Sequence, residues 1–303
     1  MSLESIINFM DLSVVILTYN EALHIERCIG NARRVSDKIY VVDSHSSDGT
    51  QEIAQRLEAT VVEHDYVNQA QQMQWAINNL GLDTEWVMRM DADEYLTDGL
   101  IDEINSRLPE LREEITGVYL PRDVFFQGKN LKHGRLHAPK ILRIWRRGKA
   151  YVEQRWMDEQ IVLSEGKGIA FKNRFVDHNL NSLAWWTQKH NNYSNRELAV
   201  EAMRMYGIGS DDEALKGRNQ KKGMYYRLPA FFRAGVYFSV RYFLLGGFID
   251  GKAGLIWATL QAYWYRFLID AKMSEMKCAL GKNPTHEQVK YYFKERYNIS
   301  LDC

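Results

Sequence analysis

Short apolar runs alternate with stretches of helical periodicity through the first third of the chain. LSVVIL (12–17), KIYVV (38–42), TVVE (60–63) and WVMRM (86–90) each read as a buried strand. Between them, Ala22, Ile25 and Ile29 recur at helical spacing after Asn20, a candidate N-cap. Ile53, Ala54 and Leu57 mark a second helix. Residues 69–79 mark a third, with Met73, Ala76, Ile77 and Leu80 on one side. Repeated β-α-β units predict an α/β fold: a Rossmann-like, mostly parallel sheet with helices on both faces. Such sheets bind ligands beyond the carboxyl ends of their strands, and Asn20, Asp43 and Asp91 all fall at such ends.

The pattern changes twice further on. From Gly117 to Asp177 it is less regular and contains a basic stretch, so the sheet is expected to finish there with antiparallel or edge elements. After Asn181 the chain becomes aromatic-rich and helical, interrupted by a polar link near 207–223. These shifts divide the sequence into residues 1–180 and a helical region, 181–303.

Composition narrows the function classes. The 303 residues carry a formal net charge of zero, which argues against a dedicated nucleic-acid binder. Cys28, Cys278 and Cys303 are odd in number and widely spaced, with no CxxC pair, so neither a zinc site nor a disulfide framework is indicated. A reducing, cytoplasmic setting fits that usage best. The first residues, with Glu4 and Asp11, lack the pattern of a signal peptide. The most apolar stretch, 224–270, is broken by charges before reaching the ~20 residues needed to span a bilayer.

Two acidic groups are candidates for chemistry. Asp91 and Asp93 in MDADEY are one residue apart after an apolar strand. In an extended segment both point the same way and could face one hard cation, Mg²⁺ or Mn²⁺; a solvated acidic turn is the alternative. Asp43 opens DSHSSDGT, whose carboxylates and hydroxyls could bind a base and ribose or could simply cap the next helix through Ser47 or Asp48.

LSVVILTYNE, VVDSHSSDGT and MDADEY, in that order, resemble the signature of family 2 glycosyltransferases with the GT-A fold. The likeness is greatest to bacterial members that build lipopolysaccharide core, capsule or exopolysaccharide. It covers roughly residues 12–178, with a nucleotide-sugar half at about 12–115 and an acceptor half at about 116–180. The resemblance implies that Thr18, Asn20 and Glu21 line a nucleotide pocket and that Asp43 contacts the base, usually uracil. It implies that Asp91 holds ribose or sugar, and that Asp93 holds the metal bridging the diphosphate. Gln72, with Gln71 beside it, falls near the phosphates, and His178 is either a second metal contact or a structural hydrogen bonder. The general base is expected at Asp158–Glu159 in WMDEQ, with Glu159 favoured.

The implied partners are a UDP-sugar donor and a lipid-linked or glycan acceptor; a homo-oligomer is allowed. Lys140, Arg143, Arg146 and Arg147 form a basic group that is either a solvated face or a contact for a phosphorylated acceptor. The tail over 225–277, rich in aromatics with spaced arginines, reads as a packed bundle or as membrane-associating helices. The second reading implies a peripheral place at the inner face of the cytoplasmic membrane. Competing activities are a nucleotidyltransferase, which would show a Gly-rich phosphate loop where LTYNEALH stands, and a non-catalytic sugar-binding or assembly module.

Overall fold

The computed structural model describes residues 11–134, 140–153, 160–208, 225 and 227–301. The chain forms two compact units, Met1–Leu131 with Leu136–Leu180, and Lys132–Arg135 with Asn181–Cys303.

The first unit opens with β1 (Leu12–Thr18), α1 (Ile25–Ala32), β2 (Lys38–Asp43), α2 (Thr50–Arg56), β3 (Thr60–Glu63), α3 (Gln69–Asn79) and β4 (Trp86–Asp91). β5 (Glu94–Leu96), α4 (Asp98–Arg107), β6 (Ile115–Leu120), β7 (Arg122–Phe126) and β8 (Lys129–Leu131) follow. β9 (Ile141–Arg146), β10 (Ala150–Val152), β11 (Ile161–Leu163), β12 (Lys167–Ala170) and β13 (Phe175–Asp177) complete it. Seven strands form one sheet in the order β12-β6-β9-β4-β1-β2-β3. β1 lies between two parallel neighbours, β2 and β4. Helices cover both of its faces, which is why LSVVIL, apart from the buried Ser13, is apolar rather than alternating. Leu12, Val14 and Ile16 pack with Ile25 and Ile29 of α1 and Leu100 and Ile104 of α4. Val15 faces the other way, with Ala70, Met73 and Ala76 of α3. The mixed α/β sheet with helices on both faces is the architecture the sequence predicts.

One local expectation is corrected and two features are added. Asn20 is not an N-cap: α1 begins after His24, and Asn20 sits at φ 54. The irregular middle finishes the sheet with the antiparallel and edge elements expected of it, β12 taking the edge. β9 inserts antiparallel between β4 and β6, deep within the sheet. A separate four-stranded sheet, β5-β13-β7-β8, takes the chain directly after the acidic motif.

The second unit is helical. α5 (Leu183–Tyr206), α6 (Phe232–Ser239) and a π segment (Val240–Leu244) lead to a 3₁₀ turn (Gly247–Asp250). α7 (Gly251–Trp257), a second π segment (Ala258–Trp264), α8 (Tyr265–Leu280) and α9 (His286–Tyr297) follow. Its core joins Leu198 and Ala202 of α5 to Met273 and Met276 of α8 and Val289 and Phe293 of α9. Arg233 and Asp270 form a buried ion pair. Gly207 closes α5 in the left-handed region; the predicted polar link lies, from 209 onward, outside the described residues.

Candidate functional site

Pairing register brings the predicted strand ends together. Thr18 lies opposite Asp43 across β1 and β2, and Leu17 lies opposite Asp91 across β1 and β4.

At the end of β2 the carboxylate of Asp43 is fully buried and accepts four hydrogen bonds. Thr18 Oγ1 (2.7 Å) and Ser46 Oγ (2.6 Å) donate to Oδ2. The Ser46 N–H (2.7 Å) and Gln51 Nε2 (2.8 Å) donate to Oδ1. The loop is then tied back to the end of β1. Asn20 N–H donates to Ser46 Oγ (2.7 Å), and Ser47 N–H donates to Asn20 Oδ1 (2.9 Å). Glu21 N–H donates to Thr50 Oγ1 (2.8 Å), and Ala22 N–H to Asp48 Oδ2 (3.0 Å). Asp48 also accepts from Thr50 N–H, so part of DSHSSDGT does organise the start of α2. Its carboxyl lies below the usual range: burial opposes this, and the Thr50 hydroxyl and nearby backbone N–H groups outweigh burial.

Glu21 accepts from His24 Nδ1 (2.7 Å), while the Leu180 N–H donates to His24 Nε2 (2.9 Å). That second bond places the ring hydrogen on Nδ1. Gln72 is buried as well, between His64 (Nδ1 to Oε1, 2.7 Å) and Ser44 (Nε2 to Oγ, 3.1 Å). Gln71 lies exposed in the first turn of α3.

The acidic motif is a corner rather than an extended segment. β4 ends at Asp91, a turn follows, and β5 begins at Glu94 in the other sheet. Asp91 and Asp93 therefore have different partners, which corrects the expectation that both face one way. Asp91 Oδ1 accepts from Arg89 Nε and Nη2 (both 3.2 Å), and Oδ2 accepts from Arg143 Nη2 (3.3 Å). Arg143 also bonds Glu94 Oε1 at 2.5 Å, and the Asp91 N–H donates to Glu94 Oε2. Burial opposes ionisation of Asp91, but the two guanidiniums outweigh it and hold its carboxyl far below the usual range. Glu94 is pushed up by burial; Arg143 pulls against this and ionised Asp91 adds to it.

Asp93 makes one side-chain hydrogen bond among the described residues, from Asn179 Nδ2 to Oδ2 (2.9 Å). His178 stands beside it because β13 pairs with β5, and the His178 N–H donates to the Asp93 carbonyl (3.0 Å). Arg27 Nη2 donates to the carbonyls of both Asp93 (3.0 Å) and His178 (2.7 Å), fastening α1 to this corner. Burial and then the Arg27 charge lower the His178 pKa, favouring a neutral ring. Asp177 is pushed up to about 6, by burial and then by Asp93.

Asp93 and His178 could thus hold a divalent cation between them. No group of three or more His, Cys, Asp or Glu side chains suited to a metal exists among the described residues. A two-residue set is the kind Mg²⁺ or Mn²⁺ uses when phosphate oxygens and water complete its shell. Asp158 and Glu159 lie outside the described residues.

The basic group of the sequence is dispersed. Arg143 belongs to the acidic corner, whereas Arg146 lies opposite Trp86 at the far end of β4 and bonds the Ile115 carbonyl. Arg147 donates to the Thr84 carbonyl at that same end. Strand alternation and the antiparallel run of β9 separate them. Arg27, Arg89, Glu94 and Asn179 went unnoticed as site residues in the sequence, and Arg143 was noticed only as part of the basic group. Only Arg89 carried a signal, since it shares a strand face with Asp91 two residues on.

The model of the family described as "Glycosyl transferase family 2" matches residues 13–179. A glycosyltransferase of Rickettsia bellii (strain RML369-C) is 28% identical over 294 residues, 93% of this chain and 92% of the relative. One from Rickettsia conorii is 38% identical over 93 residues, which span 31% of this chain and 32% of the relative. Among solved structures, a mannosyltransferase from Pyrobaculum calidifontis in complex with GDP-Man and Mn²⁺ is 16% identical. It covers 90% of this chain and 88% of that one, with a TM-score of 0.44. S. aureus TarS in complex with UDP-GlcNAc is 13% identical, covering 88% and 92%, with a TM-score of 0.46.

Proposed function

The chain belongs to glycosyl transferase family 2, and on that premise we propose that it transfers a sugar from a UDP-sugar to a hydroxyl of a lipid-linked or polysaccharide acceptor in bacterial cell-surface glycan synthesis. One observation carries this reading: Asp93 and His178 stand together just beyond the end of β4, the Asp93 carboxylate accepting from Asn179 and the His178 ring facing Arg27 Nη1 through Nδ1 (3.4 Å), with no hydrogen bond to Nε2 among the described residues. Thr18, Asn20, Glu21, Asp43 and Gln72 build the loops where the nucleotide would lie. Because Asp43 and Gln72 are buried and internally bonded, they shape that floor more than they reach out of it.

Asp93, with His178, would hold Mn²⁺ or Mg²⁺ against the diphosphate. Such an ion supplies Lewis-acid neutralisation of charge on the leaving nucleotide. Asp91 is kept ionised by Arg89 and Arg143, which fits a carboxylate that accepts hydrogen bonds from ribose or sugar hydroxyls. The acceptor hydroxyl must lose a proton as it attacks the anomeric carbon, and a positioned carboxylate takes it. Glu159, with Asp158 beside it, is the residue proposed for that role. A single displacement with one base inverts configuration at the anomeric carbon.

A panel of nucleotide sugars tests the reading. A UDP-sugar should raise the melting temperature when Mn²⁺ is present and release UDP on addition of acceptor. Glu159→Gln should abolish release while keeping the thermal shift. Binding with no release from any donor would favour the non-catalytic module, and normal turnover in Glu159→Gln would remove that residue from the mechanism.

A further inference from the structure

The second unit carries an apolar surface to which none of the residues proposed for glycosyl transfer contributes. It is concentrated at the turn joining the π segment Val240–Leu244 to the 3₁₀ turn Gly247–Asp250. There Leu244 is 78% exposed, Phe243 58%, Ile249 56% and Phe248 51%. Phe231, Phe232, Leu255, Tyr263 and Phe267, on the limbs leading to and from the turn, are also exposed.

Length decides what such a hairpin can do in lipid. The approach limb has eight α-helical residues and five in π form, about 20 Å of rise. That is short of the ~30 Å hydrocarbon core. Among the described residues no single helix is long and apolar enough to cross a membrane, and the limbs Phe232–Leu244 and Gly247–Leu280 meet at a 70° bend. The geometry suits entry and return on one side.

Charge is one-sided too. Between Leu228 and Leu268 the only carboxylate is Asp250; of the four cations there, Arg233 and Arg266 are paired inside the unit with Asp270 and Glu197, which leaves Arg241 and Lys252 near the turn. Asp250 is buried and turned inward, while Lys252 is exposed beside the turn. The outward face is apolar and cationic, the complement of an anionic lipid surface.

The backbone of the turn is also made ready for a dry environment, where an unpaired N–H or C=O is costly. Leu245 N–H donates to the Val240 carbonyl and Ile249 N–H to the Gly246 carbonyl, both at 2.9 Å. The carbonyl of Leu245 accepts from Gly134 N–H (2.9 Å), more than a hundred residues earlier in the chain. The same short segment is fixed at two further points. Asp250 accepts from Lys132 N–H (3.0 Å), His133 N–H (2.9 Å) and His133 Nδ1 (2.9 Å), and Arg241 Nε donates to the Gly134 carbonyl (2.9 Å). Gly134 has φ +68, and a Cβ there would stand 3.2 Å from the Arg241 carbonyl, so only glycine lets the strap lie this close.

We propose that the turn over 243–249 inserts its apolar side chains into one leaflet of an anionic phospholipid bilayer, with residues 132–134 forming a strap that satisfies its backbone. The inference rests on the lipid-linked acceptor of the proposed function, which a bilayer would carry, and its test does not depend on the transfer chemistry.

Full-length protein is sedimented with phosphatidylglycerol-containing and with pure phosphatidylcholine vesicles. The wild type should bind the anionic vesicles. Leu244→Asp with Phe248→Asp should lower partitioning by ~100-fold or more with an unchanged melting temperature, since both side chains are exposed. Lys252→Glu should reduce the preference for anionic vesicles several-fold. Gly134→Ala should weaken binding although every apolar side chain remains. If the double variant binds like the wild type, the turn is not the anchor even though the membrane reading survives. If the wild type binds neither vesicle, the membrane reading falls and this inference with it. A wild-type dimer in light scattering, made monomeric by the double variant, would assign the turn to a second copy of the chain and overturn the proposal.

Discussion

Two aspartates at strand ends on either side of β1 meet opposite fates. Asp43, at the end of β2, is fully buried and its carboxylate accepts four hydrogen bonds from its own loop and from Thr18. Asp93, just beyond the end of β4, accepts one from Asn179. A carboxylate saturated by protein donors is a keystone of its loop; one left with lone pairs at a strand end can take a ligand. Between them Asp91 is a third case, an acceptor whose charge is matched by Arg89 and Arg143. The same residue type at neighbouring ends of one sheet can therefore build, bind or balance, and only the donors around it decide which.

The sharpest way to break this contrast is Asp93→Asn. Turnover should fall by about three orders of magnitude, the scale set by loss of electrostatic stabilisation of the leaving group. The melting temperature should hardly move. A large thermal loss with Mn²⁺ binding retained, by calorimetry, would make Asp93 a structural residue and dissolve the comparison. Asp43→Asn should do the reverse. Removing the charge from a buried, fully bonded carboxylate should cost about 2–4 kcal/mol of stability in urea denaturation, with the activity loss following the loosened loop. Arg27→Met is the subtlest. It removes the donors to the Asp93 and His178 carbonyls and should weaken Mn²⁺ binding ~10-fold, as loss of an orienting partner does. Equal metal affinity in that variant would show that β5 and β13 hold the corner unaided.

The sequence made the first half of the sheet plain because those strands obey a simple physical rule. A parallel strand covered on both faces is largely apolar, and its end is marked by an acidic residue, as at Asp43 and Asp91. α3 was equally plain, with Asn68 capping it and Met73 and Ala76 on its buried side. The position of β9 was not legible. Its apolar residues bury like those of its neighbours, but nothing local states that it slides between β4 and β6. Arg143 was accordingly read with Arg146 and Arg147 as one basic group, although strand alternation sends it to Asp91 and Glu94. Arg27 was hidden for a related reason. On an amphipathic helix it looks like any solvent-facing charge, and only the pairing of β5 with β13 brings carbonyls within its reach.

The insertion of β9 also governs how the molecule can be made. β4, the strand that delivers the acidic corner, is completed on one edge by β1 and on the other by a segment synthesised some fifty residues later. Until that segment emerges, β4 presents an open edge of apolar sequence, the kind that recruits other chains. Asp91 and Glu94 meanwhile lack the arginine that β9 brings. The residues before and after Ile141 in this unit are therefore not separable modules. A fragment ending before Ile141 should aggregate rather than bind nucleotide, and a graft of a foreign acceptor half must carry its own β9 arginine in register.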